Sequence, residues 1–248
     1  MNFKPIFGFI AGAFLALNLN ASTIKKGELI VATEGTYSPY SFYDEKGELV
    51  GYDVDIARAV AKKLNLKIEF LTAPWDAMLA AFDAGKADVV FNQVSINEDR
   101  KKKYDMSVPY TMPYPVIVVH KDNNDIKSFA DLKGKKSVHS ATSNWAAIAE
   151  KNGATVVVAD GFSKGVELII SKRADDTIND NVTFFDYIKQ RPNAPLKIAY
   201  TSNEPMPTAA LLKKGNTELL EAINKALDEL KAEGKISEIS MKYFGKDI

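Results

Sequence analysis

Two eight-residue stretches, GKADVVFN at 85–92 and KRADDTIN at 172–179, constrain this chain more than any other feature. Each follows an amphipathic segment, residues 77–84 in the first case and 162–170 in the second. Ahead of those segments, residues 155–159 take the part that residues 67–71 take in the first half. Strand, helix, strand, helix, strand is the order of a parallel α/β sheet. Its recurrence predicts two similar α/β lobes, because a repeated supersecondary unit stacks into its own core.

The rest of the chain fits around that pattern. Residues 29–33 read as an apolar strand ending in the turn-rich run EGTYSPY at 34–40. Val54, Ala57, Val60, Ala61 and Leu64 share one helical face. Residues 67–71 alternate as a strand, and Trp75 and Asp76 open a helix that Gly85 stops. Residues 87–91 form a buried strand leading to a turn at Gln93 and Val94. Pro109, Pro113 and Pro115 fall within seven residues, where extended chain is favoured, so a crossing between two bodies is expected there. A second crossing is expected at 203–207, around Pro205 and Pro207. Strands at 116–120 and 136–139, a helix from Trp145, and helices at 218–232 and 236–243 complete the outline. The lobes are then residues 22–112 with 207–248, and residues 113–206.

Residues 1–21 have the form of a secretory signal, with Lys4 early, an uncharged apolar run over 5–17 and small Ala21 before Ser22. There is no cysteine, so neither a disulfide nor a lipid-modified N-terminus is expected, and the mature chain is placed in the periplasm. Removing residues 1–21 leaves 31 basic against 32 acidic residues, which argues against nucleic acid as a partner. The basic run from Arg100 to Lys103 is dense, but Lys101, Lys102 and Lys103 read as a solvated helix face. His120 and His139 have neither metal-ligand spacing nor a recognisable Ser and Asp arrangement, so no metal, no cofactor and no catalytic triad is expected.

Ligands of parallel α/β sheets lie outside the carboxyl ends of the strands. Ser95, Thr142 and Asp180 follow such ends. Ser95 with Glu98 has the spacing of a capping box, which either only caps its helix or, with Arg100 one turn on, makes an anion site. The hydroxyl-rich run from Ser140 to Asn144, with Thr142 and Ser143, offers plain capping or a second anion contact. Asp180 either binds an ammonium group or caps the helix after it. A zwitterion bridging these groups would draw the lobes together by its differential affinity for the closed form. Tyr37, Tyr40, Tyr52 and Trp75 are core or ligand aromatics, and Tyr37 and Tyr52 are the two chosen for ligand contact.

These residues also carry a resemblance. The motifs TYSPYSF at 36–42, GYDVD at 51–55, Trp75-Asp76, the segment 95–100, SVPY at 107–110, DLKG at 131–134, Ala174-Asp175 with Asp180, and YFG at 243–245 together resemble the bacterial periplasmic solute-binding proteins for polar amino acids. The likeness covers nearly all of the chain after residue 21. It implies a two-lobed fold with a two-strand hinge, no enzymatic activity, a monomer, and a membrane permease of an ATP-driven importer as partner. It also implies that Arg100 takes the ligand carboxylate, helped by Ser95, Thr142 and Ser143. Asp180 and the backbone carbonyl of Gln93 would take the α-ammonium, and Tyr37 and Tyr52 would cover the ligand. The run NQVSI at 92–96 with RKKKYD at 100–105 is most similar to the cystine-binding branch, so cystine or cysteine is the expected ligand. The chain departs from the family at Ala141, where glycine is usual, and at polar Asp176 and Thr177, where apolar residues are usual. A dehydratase-like enzyme on the same fold and a surface-displayed adhesin are the competing classes.

Overall fold

Strand β1 (Glu28–Thr33) is apolar from Leu29 to Ala32 because both of its faces are covered there. Leu29 and Val31 enter one core cluster, with Ile56, Ile223 and Leu227, whereas Ile30 and Ala32 enter another, with Met78 and Phe82. The computed structural model describes residues 22–248, so the expected export signal lies outside the described residues.

A parallel core forms around β1, with β5 (Lys67–Thr72) on one side and β6 (Val89–Ser95) on the other. Helices α1 (Tyr52–Lys63) and α2 (Trp75–Asp83) make the crossovers that parallel strands require. Three short strands, β2 (Thr36–Tyr37), β3 (Ser41–Tyr43) and β4 (Leu49–Val50), pair in a side sheet. After the short helix α3 (Glu98–Lys103) comes β7 (Tyr104–Met106), which does not join the parallel set. It pairs with β13 (Thr208–Lys213), which runs antiparallel to both β6 and β7.

The second sheet repeats the plan. Its parallel core is β10 (Thr155–Val158), β9 (Lys136–His139) and β11 (Asp176–Asp180), linked by α4 (Asn144–Lys151) and α5 (Phe162–Ile170). Strand β8 (Pro115–His120) is antiparallel to β11, and β12 (Leu196–Thr201) is antiparallel to β8. Helix α6 (Asn181–Gln190) follows β11; α7 (Thr217–Ala232) and α8 (Lys235–Phe244) close on the first sheet. Each sheet is therefore parallel over three strands and antiparallel over two, where a parallel sheet was expected. The two strands entered from a crossing, β8 and β13, have no crossover helix ahead of them and run against their neighbours.

The eight-residue echo is structural. Gly85 and Lys172 both take left-handed backbone conformations, and each ends its helix through the same pair of backbone bonds. The aspartate three residues on then makes a reciprocal clasp. Asp88 N–H donates to the Ile30 carbonyl while its carboxylate accepts from Ile30 N–H, and Asp175 does both with Lys136.

Two local expectations are corrected. The strand β6 does not turn at Gln93 and Val94 but continues to Ser95, because Ile96 N–H is held by the Pro207 carbonyl on the second crossing. Helix α3 is consequently capped not by Ser95 but by Asn97, whose side chain accepts from Arg100 N–H. The two crossings lie side by side, joined at Thr111 and Thr208.

Candidate functional site

The carboxyl ends of β1, β6, β9 and β11 face one another across a cleft that encloses a cavity of about 70 Å³. Tyr37, Gln93, Arg100 and Ser143 of the expected set line it.

Arg100 is held by a hydrogen bond from Nη1 to the Ser95 carbonyl at 2.9 Å, and its guanidinium lies over the Trp75 ring, 5.4 Å from the centroid. No carboxylate among the described residues is within salt-bridge distance of it, although the surface lysines beside it are paired with Glu98, Asp99 and Asp83. Burial pushes its pKa down to about 10, so it remains a cation without a counterion. Such a group can donate charge-assisted hydrogen bonds to an anion. Ser143 caps α4, its side chain accepting from Trp145 N–H. Gln93, in the left-handed region at φ 49°, has its side chain engaged by three neighbours. Its amide donates to Asp53 and its carbonyl oxygen accepts from Thr111 and Thr208, so it ties both crossings to α1.

The other four expected residues lie elsewhere. Tyr52 is fully buried, with its hydroxyl on the Tyr110 carbonyl and its ring packed against Phe244, so it supports the first core and cannot cover a ligand. Ser95 lies in the last position of β6 and does not line the cavity; it contributes its carbonyl to Arg100. Thr142 is taken up by Asp76 of α2, to which it donates both its N–H and its hydroxyl, and it also accepts from Trp75 Nε1. Ala141 N–H reaches the same carboxylate. Asp180 stands behind Tyr37. Its oxygens accept from Tyr37, Tyr40 and both the N–H and hydroxyl of Thr183, so it caps α6 as well as anchoring two tyrosines across the cleft.

Residues not singled out from sequence complete the wall. Glu34, directly after β1, is a buried acid whose Oε2 accepts from Asn92, and burial raises its pKa to about 7. The rule that selected Asp180, position at a strand's carboxyl end, points equally to Glu34. Asn92 and Asn179, the last residues of the two echoes, both line the cavity. His139, at the end of β9, does have a serine and an aspartate beside it, contrary to the expectation. Ser137 Oγ is 2.8 Å from His139 Nε2 and 2.5 Å from Asp176 Oδ1. The order is wrong for a nucleophile, because the serine, not the histidine, is central and it is fully buried. Among the described residues no group of acids and histidines could hold a metal ion, and no helix is long and apolar enough to cross a membrane.

The family model for bacterial extracellular solute-binding proteins, family 3, matches residues 29–246. A probable amino-acid ABC transporter-binding protein of Haemophilus influenzae is 46% identical over 90% of this chain and 87% of its own length. The L-cystine-binding protein TcyA of Bacillus subtilis is 44% identical over 93% and 86%. Among solved structures, an ancestral arginine-binding protein bound to arginine superposes with a TM-score of 0.82 at 42% identity, covering 89% of this chain and 99% of that one. The L-cystine solute receptor of Neisseria gonorrhoeae in its unliganded open conformation gives 0.60 at the same 42% identity, covering 93% and 98%. In this chain Asp76 and Trp75 bond Thr142, and Tyr37 bonds Asp180, across the cavity. With the family model spanning nearly every described element and the shared cavity lying between its two sheets, the chain belongs to the bacterial extracellular solute-binding proteins, family 3.

Proposed function

We propose that this chain is the extracytoplasmic receptor of an ATP-driven importer and clasps one polar amino acid, L-cystine, between a lobe of residues 22–112 with 207–248 and a lobe of residues 113–206. The observation that carries this reading is the Arg100 guanidinium, half-buried at the cavity wall with no carboxylate partner among the described residues. A ligand carboxylate supplies that counterion, with Ser143 beside it. The α-ammonium is taken by the Gln93 carbonyl and by Asp180, which exchanges its bond from Tyr37 for one from the ligand. Glu34 then faces the ligand side chain, where a second cationic group would hold it ionised. Cystine carries such a group in its second ammonium, and TcyA and the gonococcal receptor are named for that ligand. Arginine carries one as well, and a structural neighbour binds it. The protein acts by binding and not by catalysis, as a periplasmic monomer released from its 1–21 segment, and delivers its ligand to a membrane permease.

Calorimetric titration of the purified protein with L-cystine, L-arginine and L-glutamine tests this. A dissociation constant for L-cystine at or below the micromolar range, about −8 kcal/mol or better, is expected. No measurable heat with any free amino acid overturns the reading; tighter binding of L-arginine than of L-cystine overturns the cystine assignment alone. Recovery of a chemically altered amino acid by mass spectrometry identifies an enzyme instead.

A further inference from the structure

Behind the cavity wall, the second sheet carries a buried polar cluster that ligand clasping does not explain. Ser137 and Asp176 are register partners on β9 and β11. Both are completely buried, at a depth where polar groups are costly unless satisfied. Their contacts lead outward to His139, which is 5% exposed and lines the cavity. His139 Nε2 is engaged by Ser137. Among the described residues its Nδ1 has no hydrogen bond and is not one of the sealed polar atoms without a partner, which are Asp53 Oδ2, Tyr110 Oη and Asp176 Oδ2, so Nδ1 is the ring atom open to the cavity.

Ser137 has one proton to share between two neighbours. When Asp176 is ionised, the serine O–H donates to it, and the serine oxygen can then only accept from His139. The ring proton must sit on Nε2, and Nδ1 faces the cavity as an acceptor. When Asp176 takes up a proton, it donates to Ser137, whose O–H turns to His139 Nε2. The single ring proton then sits on Nδ1, which becomes a donor. One proton has been added, on Asp176, and the ring is neutral in both states.

We propose that Asp176 and Ser137 are positioning residues that set the tautomer of His139, and that His139 Nδ1 reads the hydrogen-bonding group of the ligand's side chain. The second half rests on the binding function proposed above. Burial raises the Asp176 carboxyl to about 7, so both states are reached near neutrality, and lowers the His139 ring to about 3, so it stays uncharged. Around Asp176, the turn before its strand brings Asp175, which disfavours ionisation, and the turn before β9 brings Lys135, which favours it. β8 presents Val119 opposite, and α4 covers that core with Ile148 and Ala149. The charged side chains that share the cavity with His139 are Glu34 and Arg100.

The chain has two histidines, His120 and His139, so nitrogen-15 spectra of histidine-labelled protein resolve each ring. In ligand-free protein, His139 is expected as the Nε2–H tautomer at pH 8.5 and the Nδ1–H tautomer at pH 5.5. S137A and D176N each freeze it in one tautomer at both pH values. A single tautomer throughout in the wild type, a doubly protonated ring at pH 5.5, or unchanged switching in both variants overturns the relay. For the ligand half, the probes are L-glutamine and L-methionine, alike in length but not in polarity. H139L is expected to lower the ratio of their affinities about tenfold, and an unchanged ratio overturns it. If neither probe nor L-cystine binds the wild type, the binding function fails and takes the ligand half with it, while the spectra still decide the relay.

Discussion

At the scale of single residues, Arg100 separates folding from binding. It is half-buried and has no carboxylate partner among the described residues, so its removal relieves the folded state of a partly desolvated charge while depriving a ligand carboxylate of its partner. R100A is expected to leave the unliganded melting temperature unchanged or raised, and to weaken amino-acid binding by roughly 2 to 5 kcal/mol, read by calorimetry. A melting temperature that falls with affinity intact would instead make Arg100 structural. The two acids at the cleft divide similarly. D180N is expected to weaken L-arginine and L-glutamine together, since both present the same α-ammonium, whereas E34Q is expected to weaken L-arginine by tenfold or more and L-glutamine little. The places of Arg100, in the helix after β6, and Asp180, at the end of β11, were legible from the strand-to-helix turns around them. Tyr52 was misread because an aromatic beside a glycine looks the same in sequence whether its ring faces a cavity or a core, and only the packing against Phe244 and Tyr110 separates the two.

Among the elements, α2 is the latch. Its first turn sends Asp76 across the cleft to Ala141 N–H, Thr142 N–H and the Thr142 hydroxyl, and Trp75 Nε1 to the same threonine. These bonds connect a helix packed on the first sheet to the start of a helix packed on the second. D76A removes three of them, and the unliganded protein is expected to open, with a larger radius of gyration in X-ray scattering that returns to the wild-type value when ligand is added. Affinity falls by the share of the closed state that is lost. An unchanged radius in the unliganded variant would show that other contacts, such as Ser38 with Asp186, keep the cleft shut. This use of Asp76 and Thr142 was not legible, because a carboxylate in the first turn of one helix and a hydroxyl before another are both ordinary end-of-helix residues.

For the whole molecule, three acids stand out. Burial raises Glu34, Asp53 and Asp176 each to about 7, against roughly 4 in an unfolded chain. Between those values the native state holds more protons than the unfolded one, so stability is greatest at the acid end and falls as pH rises through about 7. His139, lowered to about 3, opposes this with one proton below about pH 6.5 and leaves the acids dominant. The melting temperature is expected to drop between pH 5 and pH 7.5, each acid contributing up to about 1.4 kcal/mol per pH unit. D53N keeps the acceptor for Gln93 while removing the titration, so it should flatten the slope and raise stability at pH 8. A wild-type melting temperature that rises over this range would sink the assignment.

Local chemistry was sufficient to determine the α/β class, the repeated unit, the Gly85 helix stop, most helix and strand positions, and the two crossings, because each depends on residues close together along the chain. Tertiary structure alone decided that β8 and β13 run antiparallel, that Tyr52 is core, that Asp76 occupies Thr142, and that Glu34 and His139 join the cavity wall. Those outcomes depend on which side chains meet across dozens of intervening residues and on how deeply each is buried. Periodicity and turn chemistry report which face of an element is apolar, but not what lies on the other side of it.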